Sequence, residues 1–202
     1  MRERHTLPER GRMREKLTTG DDKRSRLVHA AADLTYAHGF GKVTLAEIAE
    51  AADVPAGGVY YYFKTKAAVG EAIVAQRRQE FQQLRARWEQ ADNPTGRLKA
   101  FIRSTADNRE ALVRGGCPVG SLCAELGKED TPLATQAASP LRDLLGWIEA
   151  QFAALGREQE KAGLALHLLA ALQGISLLAN CLRDPRLVLD EATRLSAWID
   201  GL

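Results

Sequence analysis

The sequence predicts an all-α protein, with a short three-helix unit at the N-terminus followed by a larger helical one. Three observations carry that expectation. Apolar residues recur at helical spacing from Asp22 onward, with Leu27, Ala30, Ala31 and Leu34 on one face. Capping and breaking residues punctuate the chain at intervals that suit helices. No run of four or more residues keeps the apolar–polar alternation of a half-buried strand.

The elements follow in order. Residues 1–21 lack sustained periodicity and hold Arg2, Arg4, Arg10, Arg12, Arg14 and Lys16, which predicts a flexible basic arm. The first helix opens near Asp22, with Asp21 or Asp22 as its cap, and closes at Gly39, where a left-handed residue is wanted. Thr44 and Glu47 form a T-x-x-E capping box ahead of Leu45, Ile48 and Ala49, so a second short helix runs from Thr44 to Ala52. Asp53-Val54-Pro55 breaks it, and Pro55 suits the first turn of a third helix. Further helices are predicted over 66–90, 95–113, 121–126, 140–155, 158–182 and 191–199. Residues 22–66 thus make one domain and 67–202 a second.

The composition narrows the function classes. With 45% hydrophobic and 27% charged residues, the chain of 202 residues can bury a substantial core. No apolar run reaches the ~18 residues that span a bilayer, and the polar opening MRERHTLPERGRMREK has no secretory apolar stretch. A cytoplasmic protein without membrane contact is expected. Cys117, Cys123 and Cys181 form no C-x-x-C pair, which argues against a disulfide framework and a zinc site. No metal or cofactor is predicted. There is no G-x-S-x-G, phosphate loop, H-E-x-x-H or nucleotide fingerprint, which argues against an enzyme. Residues 1–80 carry 14 Lys and Arg against 11 Asp and Glu, while residues 81–202 carry 14 against 15, so the front of the chain suits an anionic partner.

The most informative stretch is Lys42 to Lys66, KVTLAEIAEAADVPAGGVYYYFKTK. A short capped helix, a tight break and a second short helix make a helix-turn-helix, whose second helix enters a major groove. Ala56, Gly57 and Gly58 allow close backbone approach to DNA. Helix geometry puts Tyr60 and Phe63 on one side, turned partly to the core, and Tyr61 about 100° away, free to reach DNA.

The run from Leu27 to Lys66 resembles the DNA-binding domain of the TetR family. The residues that carry this are Ala30-Ala31, Leu34 and Gly39-Phe40; Thr44 and Ile48-Ala49; and Gly57, Tyr60, Tyr62, Phe63 and Lys66. The resemblance implies that Thr44, Tyr60 and Lys66 contact phosphates and that Ala56, Gly57, Gly58 and Tyr61 face the groove. Pro55, Ala56 and Gly58 stand where polar side chains are common in the family. Specificity would then rest on Tyr61, Lys42, contacts with thymine methyls and DNA shape.

The same resemblance implies a helical ligand-sensing and dimerisation domain over 67–202, with the last two long helices pairing with their mates. The helix around Leu164–Ile175 is apolar nearly all round, and Gly146, Gly163 and Gly174 suggest close packing against them. Arg103, Asn108, Trp147, His167, Gln173 and Asn180 are candidate ligand contacts, each also readable as a satisfied core or surface residue. GGCPVGSLCAEL (Gly115–Leu126) resembles a branch of the family that includes electrophile-responsive regulators, which makes Cys117 either a reactive sensor or a packing thiol.

The expected function is regulation of transcription, with a double-stranded DNA operator and a small-molecule inducer as partners of a homodimer. Phe40 and Gly39 are expected at the hinge between the domains. The alternatives are a redox or electrophile sensor acting through Cys117 and an architectural DNA-binding protein without ligand control.

Overall fold

The computed structural model describes residues 19–128 and 131–202, with side chains from residue 22 onward. The basic arm and the Asp21 cap lie outside the described residues, apart from the backbone at 19–21. The described residues form eleven helices and no strand.

Helix α1 (Thr19–His38) starts three residues ahead of Asp22, which sits in its first turn, where a carboxylate complements the helix dipole. Gly39 ends α1 at φ +88°, its N–H donating to Thr35 O at 2.8 Å. Thr44 caps α2 (Leu45–Ala51). Glu47 N–H donates to Thr44 Oγ1 at 3.2 Å and Thr44 N–H to Glu47 Oε2 at 2.8 Å, completing the expected box. The break after α2 turns on Asp53, which takes the left-handed φ of +51° that Asp tolerates better than most residues. Pro55 stands one residue ahead of α3 (Ala56–Tyr62), at its N-cap, rather than inside its first turn. Thr65 caps the long α4 (Lys66–Trp88).

The helix expected over 95–113 is two helices, α5 (Pro94–Asp107) and α6 (Arg109–Gly115). Asn108 N–H bonds to Thr105 O, three residues back, and its own carbonyl accepts from both Ala111 and Leu112. The chain tightens there and restarts, at an Asp-Asn pair with low helix propensity. Helix α7 (Pro118–Leu126) begins three residues earlier than expected, because Cys117 acts as its cap and Pro118 fills its first turn. Helix α8 (Pro132–Ala137), capped by Thr131, was missed because six residues carry too little periodicity to read. Helices α9 (Ser139–Ala154), α10 (Lys161–Leu182) and α11 (Arg186–Asp200) complete the chain. The start of α11, five residues ahead of Glu191, is fixed by Asp184, whose carboxylate accepts the Arg186 N–H at 2.9 Å.

Two main hydrophobic cores result. The first joins Leu27, Ala31, Ile48, Val59, Phe63, Val69 and Ile73 to Leu122, Leu126, Leu133 and Ala137. It therefore reaches past residue 66 and takes in α7 and α8. The second packs Trp88, Phe101 and Ile102 against Trp147, Phe152, Leu168 and Leu195. Helix α4 contributes to both.

One expectation is corrected in α10. By length and composition it is apolar enough to cross a bilayer. Its polar residues His167, Gln173, Ser176 and Asn180 are outnumbered by leucine and alanine, so its mean hydropathy stays high. Ala165, Leu168, Leu169, Leu172, Ile175, Ser176 and Ala179 of this helix are buried in the fold.

The capping box gives a stability prediction. Hydrogen bonds from the Thr44 backbone N–H, and secondarily its hydroxyl, hold the Glu47 carboxyl below the usual range. A depressed folded pKa stabilises above the unfolded value, and the benefit fades as pH falls through the folded value. Glu47→Ala, which removes the carboxylate that the Thr44 backbone N–H binds, is expected to lower the urea midpoint at neutral pH, with the gap to the parent narrowing toward strongly acidic pH. A gap that is constant with pH would contradict the role of the charge.

Candidate nucleic-acid interface and cavity

Helix α3 divides its residues sharply. Val59 and Phe63 are buried and Tyr62 packs against the first core. Tyr60 and Tyr61 point outward, 54% and 75% exposed. Tyr60 therefore does not share the core side with Phe63. The inward spacing is Val59, Tyr62 and Phe63, three and four residues apart, which leaves Tyr60 and Tyr61 outside. The Tyr61 ring meets Tyr62 edge-on, with centroids 4.9 Å apart, so a half-buried ring supports an exposed one.

Lys42, Thr44, Ala56 and Gly57 are exposed as well. A Cβ on Gly57 would meet nothing within 4 Å, which leaves its backbone open to close approach. Gly58 does not face outward with it. A Cβ there would stand 2.8 Å from Val54 Cγ1, so this glycine lets α3 pack on the preceding turn. The Lys66 ammonium, at the start of α4, donates to Gly41 O at 2.7 Å and stands 5.1 Å over the Phe40 ring.

A cavity of about 190 Å³ lies between α4, α5, α7, α9 and α10. Its apolar wall includes Phe81, Leu84, Trp88, Phe101, Leu144 and Leu172. Asn108, Cys117 and Gln173, from three separate segments, all line it. The other sequence candidates do not. Arg103 is exposed on α5; His167 is exposed on α10, edge-on to Trp198 at 4.9 Å. Both lie on helix faces turned away from the second core. Trp147 sits behind the wall, its ring 5.2 Å from Trp88 and its Nε1–H donating to Glu89 Oε1 at 3.0 Å. Asn180 Nδ2 is satisfied by Val113 O at 2.8 Å. Sequence reasoning missed the contribution of α4, although Phe81, Leu84 and Trp88 recur at helical spacing.

The charged side chains in this wall are Arg77 and Glu80, paired with each other at 2.7 Å. Gln76 Nε2 also donates to Glu80, at 2.8 Å. Ser104 and Ser176 spend their hydroxyl protons on Phe101 O and Leu172 O.

The three thiols differ. Cys117 Sγ accepts the Gly120 N–H at 3.3 Å and lines the cavity. Burial raises the Cys123 pKa, and its thiol donates to Ala137 O at 2.9 Å. Cys181 is exposed. Among the described residues, no three His, Cys, Asp or Glu come together as a metal site.

Residues 27–73 match the model of bacterial regulatory proteins of the tetR family. The chain is 30% identical over 139 residues to the transcriptional regulator AcuR of Cereibacter sphaeroides, an overlap of 68% of this chain and 62% of that protein. It is 27% identical over 125 residues to YxaF of Bacillus subtilis, an uncharacterised HTH-type transcriptional regulator, covering 59% and 64%. The chain thus spans just over three fifths of the length of these curated relatives. In fold it is similar to a TetR transcriptional regulator from Chloroflexus aurantiacus, with a TM-score of 0.80 at 20% identity over 91% of this chain and 97% of that one. Residues 27–73 are thus similar to bacterial regulatory proteins of the tetR family, and the chain that carries them shares the all-helical fold of the solved TetR regulator.

Proposed function

We propose that the chain is a cytoplasmic, homodimeric transcriptional regulator, a repressor released from a palindromic operator by a small-molecule inducer. The observation that carries this is the exposed Tyr60–Tyr61 pair on a short helix that Val59 and Tyr62 anchor to the core. This pair follows a capped α2 within the segment that matches the family model. Exposed aromatics are otherwise a cost to a soluble surface. Tyr61, Ala56 and Gly57 face the groove, Lys42 supports base reading, and Thr44, Tyr60 and Lys66 contact phosphates.

Dimerisation is supported by α10. Leu166, Leu177, Leu178 and Leu182 are 50–65% exposed in the single chain. Gly163 and Gly174 face open space, with nothing within 4 Å of a Cβ. The close packing expected at these glycines is therefore not supplied by the described residues, and a second copy supplies it. Two copies place their recognition helices about 34–36 Å apart, one turn of DNA. An inducer that prefers another spacing shifts the population off the operator.

The cavity is the inducer site, and its wall favours a small neutral molecule. Its one ion pair is internally compensated, its aromatic lining suits a flat apolar body, and the Asn108 and Gln173 carboxamides offer hydrogen bonds. The presence of this cavity disfavours a purely architectural DNA binder. A second reading, electrophile sensing, is favoured by one observation: Cys117 lines the same cavity.

Three outcomes follow. Against the tightest duplex recovered from a genomic-DNA selection, Lys66→Ala weakens binding for all sequences alike and lowers the salt slope by about one unit; an unchanged slope contradicts the phosphate role. Leu177→Glu yields a folded monomer by sedimentation, and a dimer that survives it places the interface elsewhere. Benzamide raises the melting temperature in a concentration-dependent manner, while benzoate, its charged counterpart, does not; equal shifts, or none from either, refute the neutral-ligand assignment.

A further inference from the structure

Glu125 lies in the last turn of α7, eight residues after Cys117 and so about 12 Å along the helix. Its carboxylate accepts two backbone N–H groups from the loop between α1 and α2. Phe40 N–H donates to Oε2 at 2.8 Å and Gly41 N–H to Oε1 at 2.5 Å. The loop is shaped for that carboxylate. A Cβ on Gly39 would stand 3.2 Å from Oε2, and one on Gly41 3.0 Å from Oε1. Gly39 also holds a φ of +88° that disfavours any side chain. The Gly41 carbonyl accepts from the Lys66 ammonium. One carboxylate therefore fixes the loop peptides and, through Gly41, the lysine assigned above to a phosphate.

The other end of α7 belongs to the cavity. Cys117, Pro118 and Val119 line it. Gly120 lies against α10, where a Cβ would stand 2.5 Å from Gln173 Oε1. The start of α7 is also tied to α1, because the Tyr36 hydroxyl lies 2.6 Å from Ala111 O and 2.9 Å from Gly116 O and donates between them. The Tyr36 ring occupies the space that a side chain on Gly115 would fill. Helix α7 is thus a short rod with the cavity at one end and the loop that holds Lys66 at the other.

The geometry points to Glu125 as the positioning residue that carries a displacement of α7 at the cavity to loop 39–41 and Lys66. This rests on the reading of the chain as a ligand-responsive DNA-binding protein. Charge-assisted hydrogen bonds are among the stronger polar contacts, and a carboxylate delivered from a helix 85 residues away moves with that helix.

The test uses the full chain and needs no inducer. Gly120→Leu places against Gln173 a side chain too large for that flexible carboxamide to clear by swinging aside, and so displaces α7 at its cavity end. Hydrogen exchange at the Phe40 and Gly41 amides is measured in the parent, Gly120→Leu, Glu125→Ala, Glu125→Gln and the Gly120→Leu/Glu125→Ala double variant, each checked by thermal melt for a retained fold. Glu125→Ala accelerates exchange at both amides, and Glu125→Gln, which keeps the shape but loses the charge, does so less. Gly120→Leu accelerates the same amides when Glu125 is present and adds nothing when it is absent. The variants are then titrated against the tightest duplex recovered from random sequence, where Glu125→Ala weakens binding about tenfold.

Unchanged exchange in Gly120→Leu, or an equal effect with and without Glu125, overturns the relay. Altered exchange with unaltered DNA affinity overturns its link to DNA binding. Failure of the parent to select any duplex overturns the regulator reading itself, while the exchange data still decide whether Glu125 couples α7 to the loop.

Discussion

The whole arrangement depends on α4 being shared by two cores. Val69, Ala72, Ile73 and Val74 close the first core, and Trp88 enters the second, with Phe81 and Leu84 packed against it. At 1.5 Å per residue the 23-residue helix spans about 34 Å. Lys66 stands at one end, and the cavity wall from Arg77 to Trp88 occupies the other half. Neither core can repack without moving a helix that the other one holds. Close-packed interiors respond to such demands by discrete shifts rather than by continuous deformation.

Polar contacts complement this shared helix at the places where burial is incomplete. Loop 39–41 is only partly buried: Phe40 packs against the first core, and carboxylate and ammonium bonds fix the backbone around it. Tyr36 does the same for the junction of α6 and α7, where burial raises the phenol pKa and keeps the hydroxyl a donor. The first core binds α7 and α8 to the helix-turn-helix through Leu122, Leu126, Leu133 and Ala137. These apolar contacts set where α7 lies, and the polar ones set how its two ends meet α1 and the loop.

Local chemistry was the legible part of the fold. The Thr44–Glu47 box, the Gly39 stop and the break at 53–55 were each readable because a few neighbouring residues determine them. The division of the tyrosines was read only in part, since the inward face is set by how Val59 and Phe63 meet α1 and α4. Gly58 was misplaced for the same reason: its proximity to Val54 depends on the turn geometry. Sites assembled from distant segments were the least legible. Asn108, Cys117 and Gln173 were chosen as polar residues in apolar surroundings and do converge, yet Arg103 and His167 met the same criterion and face outward. The spacing between Cys117 and Glu125 was visible, but the partners of Glu125 lie some 85 residues away and nothing local names them.

The most direct test of the account is the composition of the DNA complex. A duplex recovered by selection is titrated with the full chain, and the mass of the complex is measured at saturation in the presence of excess random-sequence competitor. The account predicts that the selected duplexes share an inverted repeat and that each half-site carries one chain, giving an even number of chains per duplex. A complex holding a single chain, or one that random-sequence DNA displaces as readily as the selected duplex, would contradict it.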